Sequence, residues 1–255
     1  MRSQVSLDQL GSPPRLEKLW ELMDVAWRTC GCRQLHFDPK RYSAFYSHPV
    51  WELNGLFVEQ DPESRRHREM FVAAIVERSP NRVLDYGGGY GTLARLIVEG
   101  CPEATVHLFD PYGPASSSES FDRIQVLGNT PYDLIVATDV LEHVHDPLRL
   151  LQQWSKLLAP GGWLLLANCF EPVILCHLPQ TFHLSFSLPG FSRALGMQYI
   201  GPVGDTHAIW FQKVASTNPC WPLLRVQETW SQLLYPYRRF WQRWGAALRR
   251  RLPWG

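Results

Sequence analysis

The chain has 255 residues, 25 basic against 24 acidic side chains, 45% hydrophobic residues and a formal net charge of +1. That length buries a core that needs neither disulfides nor a structural metal, and the near-neutral sum argues against a nucleic-acid binder, which needs a clustered basic surface. Six cysteines without paired C-x2-C spacing argue against a disulfide scaffold and fit a reducing, cytoplasmic setting; no apolar leader opens the chain, and no run approaches the roughly 20 apolar residues of a membrane span.

Residues 1–80 read as an N-terminal helical cap. Ser12-Pro13 predicts a helix start, followed by Leu16, Leu19, Trp20, Met23 and Trp27 at helical spacing. An aromatic loop is expected at 41–51, and Asp61-Pro62 predicts a second start, with Phe71, Ala74 and Ile75 as the apolar face.

Residues 81–215 change to short apolar runs alternating with helices, the pattern of a parallel sheet with helical crossovers. Strands are predicted at 82–86, 105–110, 123–127, 132–138 and 162–168, with helices near Thr92 and from Asp146-Pro147 to Leu158. Segments 197–203 and 206–214, separated by Gly204-Asp205, read as an antiparallel hairpin.

Residues 216–255 form a basic aromatic tail with seven Arg and one Glu, so the net +1 is a cancellation between a tail at +6 and a body at −5. Within 238–251, Phe240, Trp241, Trp244 and Leu248 fall on one helical face and Arg239, Arg243 and Arg250 opposite, after Pro236. Such an amphipathic helix suits peripheral contact with an anionic membrane; docking on the acidic body or a disordered end are the alternatives.

The chemistry concentrates at Asp85-Tyr86-Gly87-Gly88-Gly89-Tyr90-Gly91, between a predicted strand and helix. Glycines there permit a tight turn and let a ligand approach bare backbone, beside the free N–H groups of a helix start. Asp110, nineteen residues past Gly91, ends the next strand, where a carboxylate can accept both hydroxyl hydrogens of a ribose. Loop and acid together call for a nucleoside-containing ligand. Residues 89–94 also satisfy the dinucleotide pattern G-x-G-x-x-A, so a nicotinamide-dependent oxidoreductase is the second reading. Asp85 separates the two, because a carboxylate before the loop repels a pyrophosphate and suits an amino group or sulfonium.

At this point the sequence resembles the class I S-adenosylmethionine-dependent methyltransferases. VLDYGGGYG is similar to their acidic-glycine loop, LFDPY to their ribose-binding strand end, and DLIVATDVLEHVHDP followed by LLAPGGWLLLAN to the fourth strand, helix and fifth strand of the small-molecule enzymes related to ubiquinone biosynthesis. The resemblance implies a Rossmann-like α/β fold in three layers, its seven-stranded, mostly parallel sheet ending on an antiparallel strand. It implies that Asp85 and the backbone of Gly87, Gly89 and Gly91 hold the methionine part of S-adenosylmethionine, that Asp110 holds the ribose, and that Asp139 lies near the methionine moiety or the substrate entrance. The family's adenine contact before the fourth strand is cut short here, leaving Asn129 as its nearby stand-in.

The implied reaction is methyl transfer to a small molecule, a lipid precursor or a sugar, with oxygen as the expected acceptor atom. A hydroxyl acceptor calls for a base. His143, beyond the fourth strand, is the first candidate, and His183, in the segment expected to cover substrate, the weaker one; His177 and His207 rank below them. Tyr86 and Tyr90 offer rings to a sulfonium. Cys30, Cys32 and His36 lack a second ligand pair at regular spacing, so no metal site is expected. A third reading keeps the fold as a non-catalytic binding module anchored by the tail.

Overall fold

The computed structural model describes residues 15–113 and 120–251, with side chains through Phe240. The start expected at Ser12-Pro13 and the aromatic face expected at Trp241, Trp244 and Leu248 lie outside these residues.

Seven strands form one sheet in the order β3-β2-β1-β4-β5-β7-β6. β1 (Arg82–Tyr86), β2 (Thr105–Phe109), β3 (Asp122–Ile124), β4 (Tyr132–Thr138) and β5 (Leu158–Ala167) run parallel. β7 (Ile209–Lys213) pairs antiparallel with both β5 and β6 (Met197–Pro202), which closes that edge as the hairpin pattern predicts. β1 and β4 are buried along nearly their whole length (Val83, Leu84, Leu134, Ile135, Val136 and Ala137), because helices cover both faces. β3 is shorter than the 123–127 expected, since Gln125 and Val126 are exposed and gain nothing from pairing further.

On one face, α6 (Pro147–Leu157) brings Leu148, Leu151 and Trp154 against Ile135 and Leu164. Its start is written in Asp146-Pro147: proline fits the first helical position, and the Asp146 carboxylate accepts the Arg149 N–H. α7 (Leu184–Ala194) packs on the same side. On the other face lie α5 (Thr92–Gly100) and α4 (Pro62–Val76). α4 belongs by its packing to the sheet rather than to a separate cap, since Phe71 and Ile75 are buried with Val83, Ile97 and Val106.

The remaining N-terminal helices, α1 (Leu16–Thr29), α2 (Pro39–Tyr46) and α3 (Val50–Gln60), have their own core of Leu19, Met23, Trp27, Tyr42, Phe45 and Val50, which also takes up Ile174, Cys176 and Leu178. The aromatic stretch expected as a loop is therefore helical. Asp38-Pro39 starts α2 by the same device as the other two, the Asp38 carboxylate accepting the Lys40 and Arg41 N–H groups. The last element, α8 (Trp221–Arg251), is a 31-residue helix that runs through Pro236.

Candidate functional site

All the parallel strands end on the same side of the sheet, and there the chain encloses a cavity of about 910 Å3. β1 delivers Asp85 and the glycine loop, β2 delivers Asp110, β4 delivers Asp139 and His143, and α2–α3 form the wall opposite.

The loop folds as its glycines demand. Gly87, Gly89 and Gly91 all take positive φ, at 74°, 51° and 79°. A Cβ at Gly87 would stand 2.6 Å from the Val140 side chain, and one at Gly88 would run into the Asp85 carboxylate, whereas one at Gly89 would meet nothing within 4 Å. Gly89 thus presents bare backbone to open space. Its N–H donates to Asp110 Oδ2 (2.9 Å) and its carbonyl accepts from Arg123 Nη1 (2.8 Å).

Asp85 is 1% exposed, and neither carboxylate oxygen has a hydrogen-bond partner of good geometry. Burial pushes its carboxyl up to about 7, with Asp110 adding to the effect and the Ala94 amide and Arg123 guanidinium opposing it. A buried acid left without a donor is costly unless a ligand supplies one. The ammonium of an amino acid fits that place; a phosphate does not.

Asp110 lines the cavity, and its carboxylate already clamps the loops. Oδ2 accepts from Gly89, and Oδ1 accepts from the Tyr112 and Gly113 amides, each at 2.8 Å. Asn129 is exposed and is not among the cavity-lining residues, because the β3–β4 link carries it out to solvent. Tyr86 packs on Phe109 and Trp154, and Tyr90 is seated on α3 against Gly55, both at the cavity wall.

Asp139, at φ 53°, is an exposed residue of the cavity lining. The protein packed around its carboxyl raises it, against the pull of His207 and His177. Glu142 is fully buried and pushed well above the usual carboxylate range by burial and by Asp139. Both its oxygens are engaged, one by Asn168 Nδ2 (2.6 Å) and the other by the Cys169 amide (2.7 Å), so it ties the end of β5 to the cavity floor.

His143 lies in the cavity wall with Nδ1 3.1 Å from the Cys176 carbonyl. That contact assigns the proton to Nδ1 and leaves Nε2 as the acceptor. Burial, with His177 beside it, lowers the imidazole to about 3, so it is neutral and ready to accept at any ordinary pH. His177 makes the matching bond from Nδ1 to the Glu171 carbonyl (2.8 Å). Ligating atoms of Glu142, His143 and His177 lie within 4.8 Å of one another, a spacing that also suits a divalent cation.

His183 corrects the expectation placed on it. It is 1% exposed beneath α7, bonded through Nδ1 to Ser187 Oγ and packed on Phe191, and it is not among the cavity-lining residues. Its segment folds back into the core because Leu184, Leu188 and Phe191 are buried there. His207 sits before β7 rather than on it, at the cavity wall near His67.

Sequence reasoning missed the wall opposite the sheet. Tyr46 stacks on Tyr112 (5.0 Å between centroids) and meets Trp51 and His143, so a box of rings faces the candidate base. The Tyr46 hydroxyl is buried without a hydrogen-bond partner. His145 completes the wall, its Nε2 2.7 Å from the Tyr42 hydroxyl and its Nδ1 3.1 Å from the Gln180 amide. The Asp38-Pro39 helix start was the available clue.

A family model described as a methyltransferase domain matches residues 58–242. Trans-aconitate 2-methyltransferase of Streptomyces avermitilis is 30% identical over 134 residues, 46% of this chain and 49% of that protein. Ubiquinone biosynthesis O-methyltransferase of Xanthomonas campestris is 28% identical over 188 residues, 66% of this chain and 72% of that protein. The chain spans about half the length of the first of these relatives. Among solved structures, human N-acetylserotonin methyltransferase in complex with S-adenosylmethionine superposes with a TM-score of 0.51 at 18% identity, covering 77% of this chain and 67% of that one. At that identity the likeness shows the fold alone.

Proposed function

The chain belongs to the methyltransferase-domain family of S-adenosylmethionine-dependent proteins, and from that premise we propose that its cavity methylates an oxygen of a small, ring-bearing hydroxylated acceptor, with His143 as the base. The observation that carries the cofactor half is the buried Asp85 carboxylate, with no hydrogen bond of good geometry, beneath a loop whose Gly89 backbone faces open space. Asp85 would hold the amino group, the Gly87–Gly91 backbone the rest of the methionine moiety, and Asp110 the ribose. Asp139 would line the passage between cofactor and acceptor. Bound S-adenosylmethionine supplies a methyl on a sulfonium whose leaving group is already activated, so the protein's task is to position the acceptor and exclude water.

The acceptor half rests on His143. Its Nε2 takes the hydroxyl proton as the oxygen becomes nucleophilic, while the Cys176 carbonyl holds the ring in the accepting tautomer. An imidazole lowered this far is a weak base in isolation. The Cys176 carbonyl, which accepts from Nδ1, also stabilises the imidazolium as it forms. Tyr46, Trp51 and Tyr112 frame a planar acceptor, and the unmet Tyr46 hydroxyl gives it a hydrogen-bond partner.

The test is a panel of phenolic and carboxylate acceptors, with released S-adenosylhomocysteine as readout. His143→Gln should lower kcat by about 100-fold or more and leave cofactor affinity unchanged. Wild-type kcat in that variant, or preferred methylation of a carboxylate, which needs no base, would sink the base assignment.

A further inference from the structure

We propose that α8 is a docking helix for an anionic lipid surface, lying in its plane with one face on the protein body and the opposite face on the bilayer. The body face is well anchored. Leu224 is buried in the core, Arg225 bridges Asp146 and Glu228, Gln232 Nε2 donates to the Gln180 carbonyl, Tyr235 packs on Phe182 and Phe186, and Arg239 pairs with Glu171 at 2.6 Å. These contacts recur at helical spacing along one side.

The opposite side is apolar and exposed. Leu223, Val226, Trp230, Leu233 and Tyr237, spaced 3-4-3-4, are each between 53% and 69% exposed, and Phe240 continues the series. A stripe of this length on a soluble helix marks a binding surface. Charge selects the occupant. From Thr229 to Arg251 the helix carries six arginines (238, 239, 243, 249, 250 and 251) and no acid, and with Arg239 neutralised by Glu171 the stretch keeps a net charge of +5. A second copy of the helix has no free carboxylate to meet them, its Glu228 being taken by Arg225, so self-pairing would bring like charges together. An anionic headgroup layer supplies the opposite charge, and Trp and Tyr are the side chains that settle at its boundary. At about 1.5 Å per residue α8 is ~46 Å long, yet among the described residues no helix is long and apolar enough to cross a membrane. It therefore lies on the surface. Arg225 and Trp221 reach Asp146 and Arg149 of the cavity wall, so the docked face adjoins the site.

The test uses the full chain and two vesicle types, phosphatidylcholine alone and phosphatidylcholine with about one-third phosphatidylglycerol. Co-sedimentation should be at least about tenfold stronger with the anionic vesicles and weaken as salt rises. Replacing Trp230, Leu233 and Tyr237 by Ser should remove about tenfold of that binding without lowering the thermal midpoint. In the wild-type chain, phosphatidylglycerol brominated along its acyl chains should quench tryptophan fluorescence, a readout that needs no variant. Equal binding to both vesicles, binding to neither, or a wild-type dimer in light scattering that the triple variant splits into monomers would overturn the proposal.

Discussion

In the proposed function Asp85 holds the cofactor's amino group at the expense of the fold, and both effects can be measured. A carboxyl that titrates at about 7 in the folded protein and near ~3.9 in the unfolded chain makes the native state keep a proton that the unfolded state has released. Stability should therefore fall as pH rises from about 4 to 7, and stay lowered above that, by an amount on the order of 4 kcal/mol. Asp85→Asn preserves the shape and removes the charge. At about pH 8 it should stabilise the free protein by ~2 kcal/mol, less than the full amount because the amide's own hydrogen bonds go unmet. Near pH 4 the order should reverse, the variant being the less stable by about 1–2 kcal/mol. Cofactor affinity should move the other way. The variant should bind S-adenosylmethionine about 100-fold more weakly, and wild-type affinity should weaken about tenfold for each pH unit below 7, since the protonated acid must lose its proton before holding an ammonium. Urea unfolding and calorimetry across this range provide the assay. An Asn variant no more stable than wild type at the alkaline end, or cofactor affinity flat between about pH 5.5 and 7, would refute the reasoning.

Two glycine substitutions should separate fold from binding. Gly87→Ala drives a Cβ to 2.6 Å from Val140 and should lower the unfolding midpoint markedly, whereas Gly89→Ala meets no protein atom and should cost about 1–2 kcal/mol of backbone strain while raising the cofactor Kd more than tenfold. Tyr46→Phe removes a buried hydroxyl that has no partner in the protein, so stability should hold while KM for the acceptor rises about tenfold with little change in kcat. Dialysis against a chelator should leave the methyl-transfer rate unchanged if His143 acts as a base; loss of activity restored by a divalent cation would make His143 a ligand together with Glu142 and His177.

The loop and strand ends proposed to hold the cofactor could be located from the sequence because their parts are local. A glycine that must take positive φ, an acid at a strand end and a proline after a capping Asp each act within a few residues, and Gly87, Asp85 and Asp146-Pro147 stand where those rules place them. The acceptor half depends on contacts distant in sequence. Tyr46 meets Tyr112, and His145 meets Tyr42, across separations that no periodicity records. His183 shows the same gap from the other side. Its segment has the polar-aromatic look of a substrate cover, but the apolar spacing of Leu184, Leu188 and Phe191 turns it inward, and burial of those three outweighs the imidazole's preference for water.

Two buried acids on the cavity floor show why burial alone does not identify a binding group. Asp85 and Glu142 are both dehydrated and both pushed upward by it. Glu142 has its donors in Asn168 and Cys169, so the protein completes it, and its work is to hold β5 in place behind His143. Asp85 has no hydrogen bond of good geometry and lines the cavity, which is why the proposed function gives it a ligand's donor. His183 Nε2 and Trp154 Nε1 are also without partners, but neither residue lines the cavity, and no ligand there reaches them. An unmet polar atom and access to a common space are both required. Among the cavity-lining residues the Asp85 carboxylate, the Tyr46 hydroxyl and Arg68 Nε satisfy both, and the first two lie beneath the glycine loop and beside His143, where the proposed cofactor and acceptor would sit.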